Sequence, residues 1–434
     1  MIVIVTSSLQ GNLLTEKKEM KEGMLSGYRI LDLTDEKGVL CGKLLGDLGA
    51  DVIKIERPGG DSSRNMGPFF KDDHHPEKSL YWYAYNSSKR GITLNIETRD
   101  GAEIFRKLLK TADVVLESFT PGYLDKLGFG YSSLSKIHPS IILTSITPFG
   151  QSGPYSEFKG ADIVCWALSG KLLLTGDADR PPVHISHVPH SWFHGSADGA
   201  VGTAMALFRR GISGNGQQVD VSIQESMEKV GYLSHLIWTL SKEEAWRGPM
   251  MKTPPKNTIT HFVWECKDGF VLFYPFSGPM GPAATKPVVD YMQSEGMADE
   301  FIAQLDWSQL DWGETSQSRA DKIQSYFTRF FKSKTKDELF NESLNRRLMI
   351  QPINTPRDIL EHPQLQSRQY WQAVEHPDLN QVITYPGGFI RSSETSCETR
   401  RCAPLIGEHN HEIYKGELNL SASQLGILKQ AGVI

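Results

Sequence analysis

Two kinds of residue in this chain have types and positions suited to chemistry. His190 and His194, four residues apart, are groups that titrate near neutral pH and could act as general bases, although histidines beside a cleft often serve only as hydrogen-bonded structural groups. The other kind is cationic. Arg57 directly follows the apolar run Asp51–Glu56, and a cation at the C-terminal end of a strand is well placed to meet the phosphates of a ligand. Its plainer use is a surface ion pair. No GxSxG, P-loop, HExxH or strand-linked GxGxxG occurs. The five cysteines (Cys41, Cys165, Cys266, Cys397, Cys402) form no CxxC pair and no zinc-type cluster. Sparse, odd-numbered cysteines fit reduced thiols in a cytoplasmic protein better than a disulfide framework.

The elements that position these residues alternate. Tyr28–Leu33 reads as a buried strand, Gly38–Leu48 carries apolar residues at helical spacing, and Asp51–Glu56 returns as a second strand. A unit of this length implies a parallel pair with a right-handed crossover. The rhythm continues with strands at Ile92–Asn95, Asp113–Glu117, Ile141–Ile146 and Gln218–Ile223. Helices are expected at Asp100–Thr111, Gly199–Arg209 (small and apolar enough to be buried) and Ser421–Gln430. The fold class is therefore α/β, with a Rossmann-like doubly wound parallel sheet.

The chain has 434 residues, 39% hydrophobic and 22% charged, with a formal net charge of −5. That length allows more than one lobe, and the charge gives no footprint for nucleic acid. No window approaches a membrane span. Residues 1–24 read as a flexible leader, 25–230 as a large ligand-binding domain, 231–345 as a smaller domain with several Trp, and 346–434 as a C-terminal return.

Particular strings go further. Leu48–Pro58 (LGADVIKIERP), Asn86–Ile92, Asp113–Phe119 with Pro121-Gly122, Gly214–Gln217, His362-Pro363 and Pro404–His409 follow one another in a family's order. The sequence resembles the class III CoA-transferases, the CaiB/BaiF-like group of formyl-CoA transferase, carnitine CoA-transferase and α-methylacyl-CoA racemase. The resemblance implies acyl-CoA and carboxylic acid substrates, coenzyme A bound as substrate, no metal, and a dimer whose two subunits pass through each other like linked rings. It also implies that the C-terminal return completes the large domain. By position, Lys37 and Gly38 in the first strand-to-helix turn, Arg57, Leu94, Ser118, Lys126 and Lys159 match family contacts to CoA. The turn Asp35–Gly38 departs from the usual pattern, and Ser118 stands where the family has Asn.

The larger departure is at the nucleophile. The resemblance implies an aspartate whose carboxylate attacks the thioester to give a mixed anhydride, and then an aspartyl-CoA thioester. Counting back without gaps from Gly214–Gln217 places Trp192 at that position, and Ala161 where the racemases have a histidine. Three readings stay open. Asp198, six residues on, could be a displaced nucleophile, or His190 or His194 a general base. Alternatively the chain has no nucleophile and works with an Asp-bearing paralogue, like the partner subunit of succinyl-CoA:benzylsuccinate CoA-transferase. A self-sufficient homodimeric transferase or epimerase and a non-catalytic CoA-binding protein are the alternatives to the heteromer. Tyr274–Pro282 is a candidate lid over the substrate.

Overall fold

The computed structural model describes residues 22–434 except 178–179, 186–187, 245–246, 248–249 and 254. It begins β1 (Arg29–Asp32), α1 (Val39–Asp47), β2 (Asp51–Glu56), α2 (Leu80–Asn86), β3 (Lys89–Thr93), α3 (Arg99–Leu109) and β4 (Val114–Glu117). Next come α4 (Tyr123–Lys126), α5 (Tyr131–Ile137), β5 (Ile142–Thr147), α6 (Asp162–Leu168) and α7 (His190–Ser213). β6 (Gln218–Ser222), α8 (Ile223–Lys229) and α9 (Tyr232–Ser241) follow.

The six strands form one parallel sheet in the order β3-β2-β1-β4-β5-β6. Strands β1 to β5 are buried almost throughout, as parallel strands covered on both faces must be. Leu31, Ile53, Val115 and Leu143 meet α3 and α5 on one face, and Ile30, Val52, Leu116 and Ile146 lie on the other with Cys41, Ala200 and Leu207 from α1 and α7. Ile413, Tyr414 and Leu428 enter the first of these clusters, so the end of the chain is part of the sheet's own core. Strand order reverses between β1 and β4. In such sheets the usual ligand position lies outside the C-terminal ends of the strands at this reversal.

Two differences from the sequence expectation have physical causes. The third strand begins at Lys89, not Ile92, because Lys89 and Arg90 are buried with their charges paired. The expected buried helix Gly199–Arg209 is a 24-residue helix starting at His190. One of its faces is exposed, carrying Val201, Met205, Phe208 and Ile212.

The chain divides into two compact units. The larger comprises residues up to Leu172, Ser186–Lys242 and Pro363–Ile434; the smaller comprises Leu173–Ile185 and Glu243–His362. The main part of the smaller unit thus begins after α9 and reaches past residue 345. Gln351–Ile353 pairs antiparallel with Gly269–Leu272, holding that stretch in the smaller unit. Arg247 ties the detached piece in by donating to the carbonyls of Leu173, Asp177 and Arg180. Trp264, Phe273, Trp307, Phe327 and Phe331 form its core. Of the expected leader, residues 1–21 lie outside the described residues. Gly23 is already bridged to Ser396, and Ser396 N–H donates to Glu22 O at 3.0 Å.

The candidate lid Tyr274–Pro282 is fastened within the smaller unit. Trp312 Nε1 donates to Pro275 O at 2.7 Å, Gly278 N to Leu310 O at 3.0 Å and Thr285 Oγ1 to Phe276 O at 2.8 Å. Any opening of the segment would have to break these bonds.

Candidate functional site

The ground beneath the β1–α1 turn is ionic. Lys89 Nζ donates to Asp32 Oδ2 at 2.8 Å, Val39 O at 2.7 Å and Asn86 Oδ1 at 2.8 Å, which uses all three of its protons. Lys54 donates to Thr34 O and to Asp61 Oδ2. Burial alone would push the Asp32 carboxyl up, but Lys89 and Lys54 outweigh it and hold the group below the usual carboxylate range. Gly42 on α1 leaves room for this network, since a Cβ there would meet Asp32 Oδ2 at 2.2 Å. The β1–α1 turn is therefore anchored from below by charge.

On this ground the structure brings several of the expected residues together. Lys37 and Gly38 lie in the β1–α1 turn, where Lys37 pairs with Asp35 and its carbonyl accepts Ser196 Oγ at 3.1 Å. Ser118, directly after β4, accepts Asp35 N–H at 2.9 Å and donates to Asp35 Oδ1 at 2.8 Å. The two loops that flank the strand-order reversal are thus joined. Arg57, directly after β2, is 62% exposed and contacts Glu97 Oε1 at 2.7 Å and Tyr123 Oη at 3.0 Å. Gly122 starts α4 with φ 81°, a left-handed conformation that favours glycine. Lys126 is one turn beyond Tyr123 on α4 and is exposed.

Two expected residues take no part in these bonds. Lys159 is exposed in the loop after β5. Leu94 is 2% exposed, inside the core on the α3 side of the sheet, and so offers a ligand almost no side-chain surface.

At the head of α7, Asp162 takes the Ser191 N–H at 2.8 Å and also accepts the Ser191 hydroxyl. Trp192 packs partly buried against the α1–α7 core, and its Nε1 is buried without a partner among the described residues. The His190 ring meets Trp166 edge-on at 6.2 Å. His194 is held below the usual histidine range, by burial first and then by His190, with Asp198 opposing. Asp198 lies inside α7, two turns from its start, with Oδ2 2.6 Å from Lys229 Nζ. No carboxylate stands at Ser191, Trp192 or Phe193, and the acids on either side are engaged.

Residues 25–410 match CoA-transferase family III. The chain belongs to that family. It is 34% identical over 392 residues (89% of this chain, 93% of the relative) to succinyl-CoA:(R)-benzylsuccinate CoA-transferase subunit BbsE of Thauera aromatica. Over 422 residues it is 30% identical to the human succinyl-CoA:glutarate CoA-transferase, covering 94% of this chain and 90% of the relative. Among solved structures it is similar to a CaiB/BaiF family protein from Brucella suis, with TM-score 0.75 and 27% identity, covering 91% of this chain and all of that one.

In this family III chain, sequence reasoning passed over two features of the site. One is the Asp162–Ser191 contact, which is long-range and leaves no local signal. The other is Glu117, the last residue of β4, 4% exposed. Burial pushes its carboxyl up to about 7, against the opposing pull of the Ser145 hydroxyl and the Phe119 N–H. A carboxylate ending the apolar run Val114-Val115-Leu116 was the available signal. Among the described residues no helix is long and apolar enough to cross a membrane, and no group of three or more His, Cys, Asp or Glu could hold a metal ion.

Proposed function

We propose that this chain is the CoA-binding, nucleophile-lacking subunit of a heteromeric CoA-transferase that moves CoA between carboxylic acids, working with an Asp-bearing paralogue. The observation that carries this reading is the head of α7. Trp192 occupies the place counted for the nucleophile, while Asp162 and Asp198 are committed to Ser191 and Lys229. Acyl exchange through an enzyme anhydride needs a carboxylate free to attack the thioester carbon, and this reading assigns that group to the paralogue. The subunit wording in the name of the Thauera aromatica relative agrees with it, and a dicarboxylic or aryl-substituted acid is the expected acceptor.

In this subunit, Arg57, Lys126 and Lys159 meet CoA phosphates, and the joined turns at Lys37, Gly38 and Ser118 receive the pantetheine side. Assembly follows the family's linked-ring dimer. The exposed apolar stripe Val201, Met205, Phe208 and Ile212 along α7, with Leu233, Leu236 and Leu240 on α9, is the surface a second subunit would cover. The test is reconstitution. The purified chain should bind CoA thioesters by calorimetry, show no turnover of succinyl-CoA with candidate acids, and gain turnover when the paralogue is added. Turnover by the chain alone would favour a self-sufficient homodimer.

A further inference from the structure

Glu117 has no part in the chemistry described so far, yet it sits directly beneath the loop that carries Ser118. Its Oε2 accepts the Phe119 N–H at 2.7 Å, and Ser118 in turn fixes the β1–α1 turn through Asp35. Among the described residues no cation lies within ion-pair distance of this carboxyl. Beside it is a polar cavity of about 220 Å³, lined by Glu117 together with Thr120, Gly122, Ser145, Gln151 and Tyr131 among others. Gln151 Nε2, on the cavity wall, is buried without a partner among the described residues, and the Ser145 hydroxyl, 1% exposed, acts on the Glu117 carboxylate. A space of this size and polarity suits water, which gives the carboxyl a route for protons.

Resting on the reading that the Ser118 loop receives CoA, we propose that Glu117 is a positioning residue for CoA binding: its ionised form holds the Ser118–Gly122 turn through the Phe119 N–H, and protonation from the cavity side loosens that hold. A hydrogen bond to a charged acceptor is roughly twice as strong as one to a neutral acceptor, so loss of the charge weakens the anchor. The value of about 7 places the exchange near neutral pH. The titratable groups around Glu117 are Asp35 and Lys37 in the β1–α1 turn and Asp125 and Tyr131 across the cavity. Asp35 raises the Glu117 value and Lys37 lowers it.

The experiment is calorimetric CoA affinity for the full chain from pH 6 to pH 8.5, compared with Glu117→Gln. The ratio of the two affinities cancels the titration of CoA itself. It should be near unity at pH 6 and rise roughly three- to tenfold in favour of the wild type by pH 8. Ser145→Ala removes a group that favours the charged form, so it should move the midpoint of the wild-type profile to higher pH. A pH-independent ratio, or a midpoint unmoved by Ser145→Ala, overturns the proposal while leaving CoA binding intact. Absence of CoA binding at every pH overturns the functional reading and this inference with it.

Discussion

Lys229 Nζ stands 2.6 Å from Asp198 Oδ2, tying the end of α8 to the middle of α7. The pair is partly exposed, and such pairs contribute about 1 kcal/mol or less to stability. Its importance is chemical. A carboxylate held against an ammonium inside a helix is a poor candidate to leave that partner and attack a thioester. The acid nearest the head of α7 is likewise occupied, by Ser191. Both acids beside the head of this helix therefore already have partners.

Arg57 tests the CoA-binding half of the account. It shares Glu97 with Tyr123 at the end of β2, and both ion-pair partners are solvent-exposed. Arg57→Ala should weaken CoA binding about tenfold, the scale of one charge-assisted phosphate contact. The loss should shrink as salt rises. Glu97→Gln frees the guanidinium and should leave CoA affinity equal or stronger. Calorimetry at two ionic strengths reads both.

The Glu56–Arg64 pair tests how the C-terminal segment is held. Arg64 is fully buried, bonded to Glu56 through Nε and Nη2 at 2.6 and 2.8 Å, to Pro404 O at 2.9 Å and to Glu77 at 2.8 Å, with its guanidinium over Trp82. Removing one partner of a buried pair costs about 3–5 kcal/mol because the other is left uncompensated. Glu56→Ala should therefore lower the urea midpoint sharply. A midpoint within error of the wild type would show that Pro404 and Glu77 suffice to hold Arg64.

Glu117 makes a stability prediction with a definite sign. Its carboxyl rises from the ordinary 4.5 to about 7 on folding, so the folded state binds its proton more tightly than the unfolded state. The ionised form then costs stability that is absent below pH 4.5, grows as pH rises toward 7, and is constant above it. Glu117→Gln removes this cost. It should raise unfolding free energy at pH 8 by about 3 kcal/mol and change it little at pH 4.5. Denaturant titration at the two pH values decides it, and an equal effect at both would contradict the shift.

The exposed stripe on α7 should be an interface. Phe208→Glu places a charge in the middle of it. Sedimentation velocity should find an oligomer for the wild type and a smaller species for the variant, whose folded signature is retained. A wild-type monomer at all concentrations would remove the stripe's assigned role.

Much of the sheet was legible in the sequence because parallel strands write themselves as short apolar runs. Asp51–Glu56 has the bounds expected of it. Lys89 and Arg90 did not read as strand, because their partners Asp32 and Asp51 lie on other strands. The start of α7 was hidden for a similar reason. Its head, His190–Gly195, has no apolar periodicity, and Asp162, which holds it, is 29 residues away. Arg57 could be named from a strand end, and Lys37, Lys126 and Lys159 only through the family resemblance, whereas the burial of Leu94 and the cavity beside Glu117 depend on packing that no local pattern records.

The most direct test of the central claim is a hydroxylamine-trapping experiment on the purified chain incubated with succinyl-CoA, read by peptide mass spectrometry, alone and with its paralogue. The account predicts no hydroxamate on this chain under either condition, Asp198 included, and an adduct on an aspartate of the paralogue when both are present. A hydroxamate on Asp198 would contradict it and make this chain a transferase with its own, displaced nucleophile.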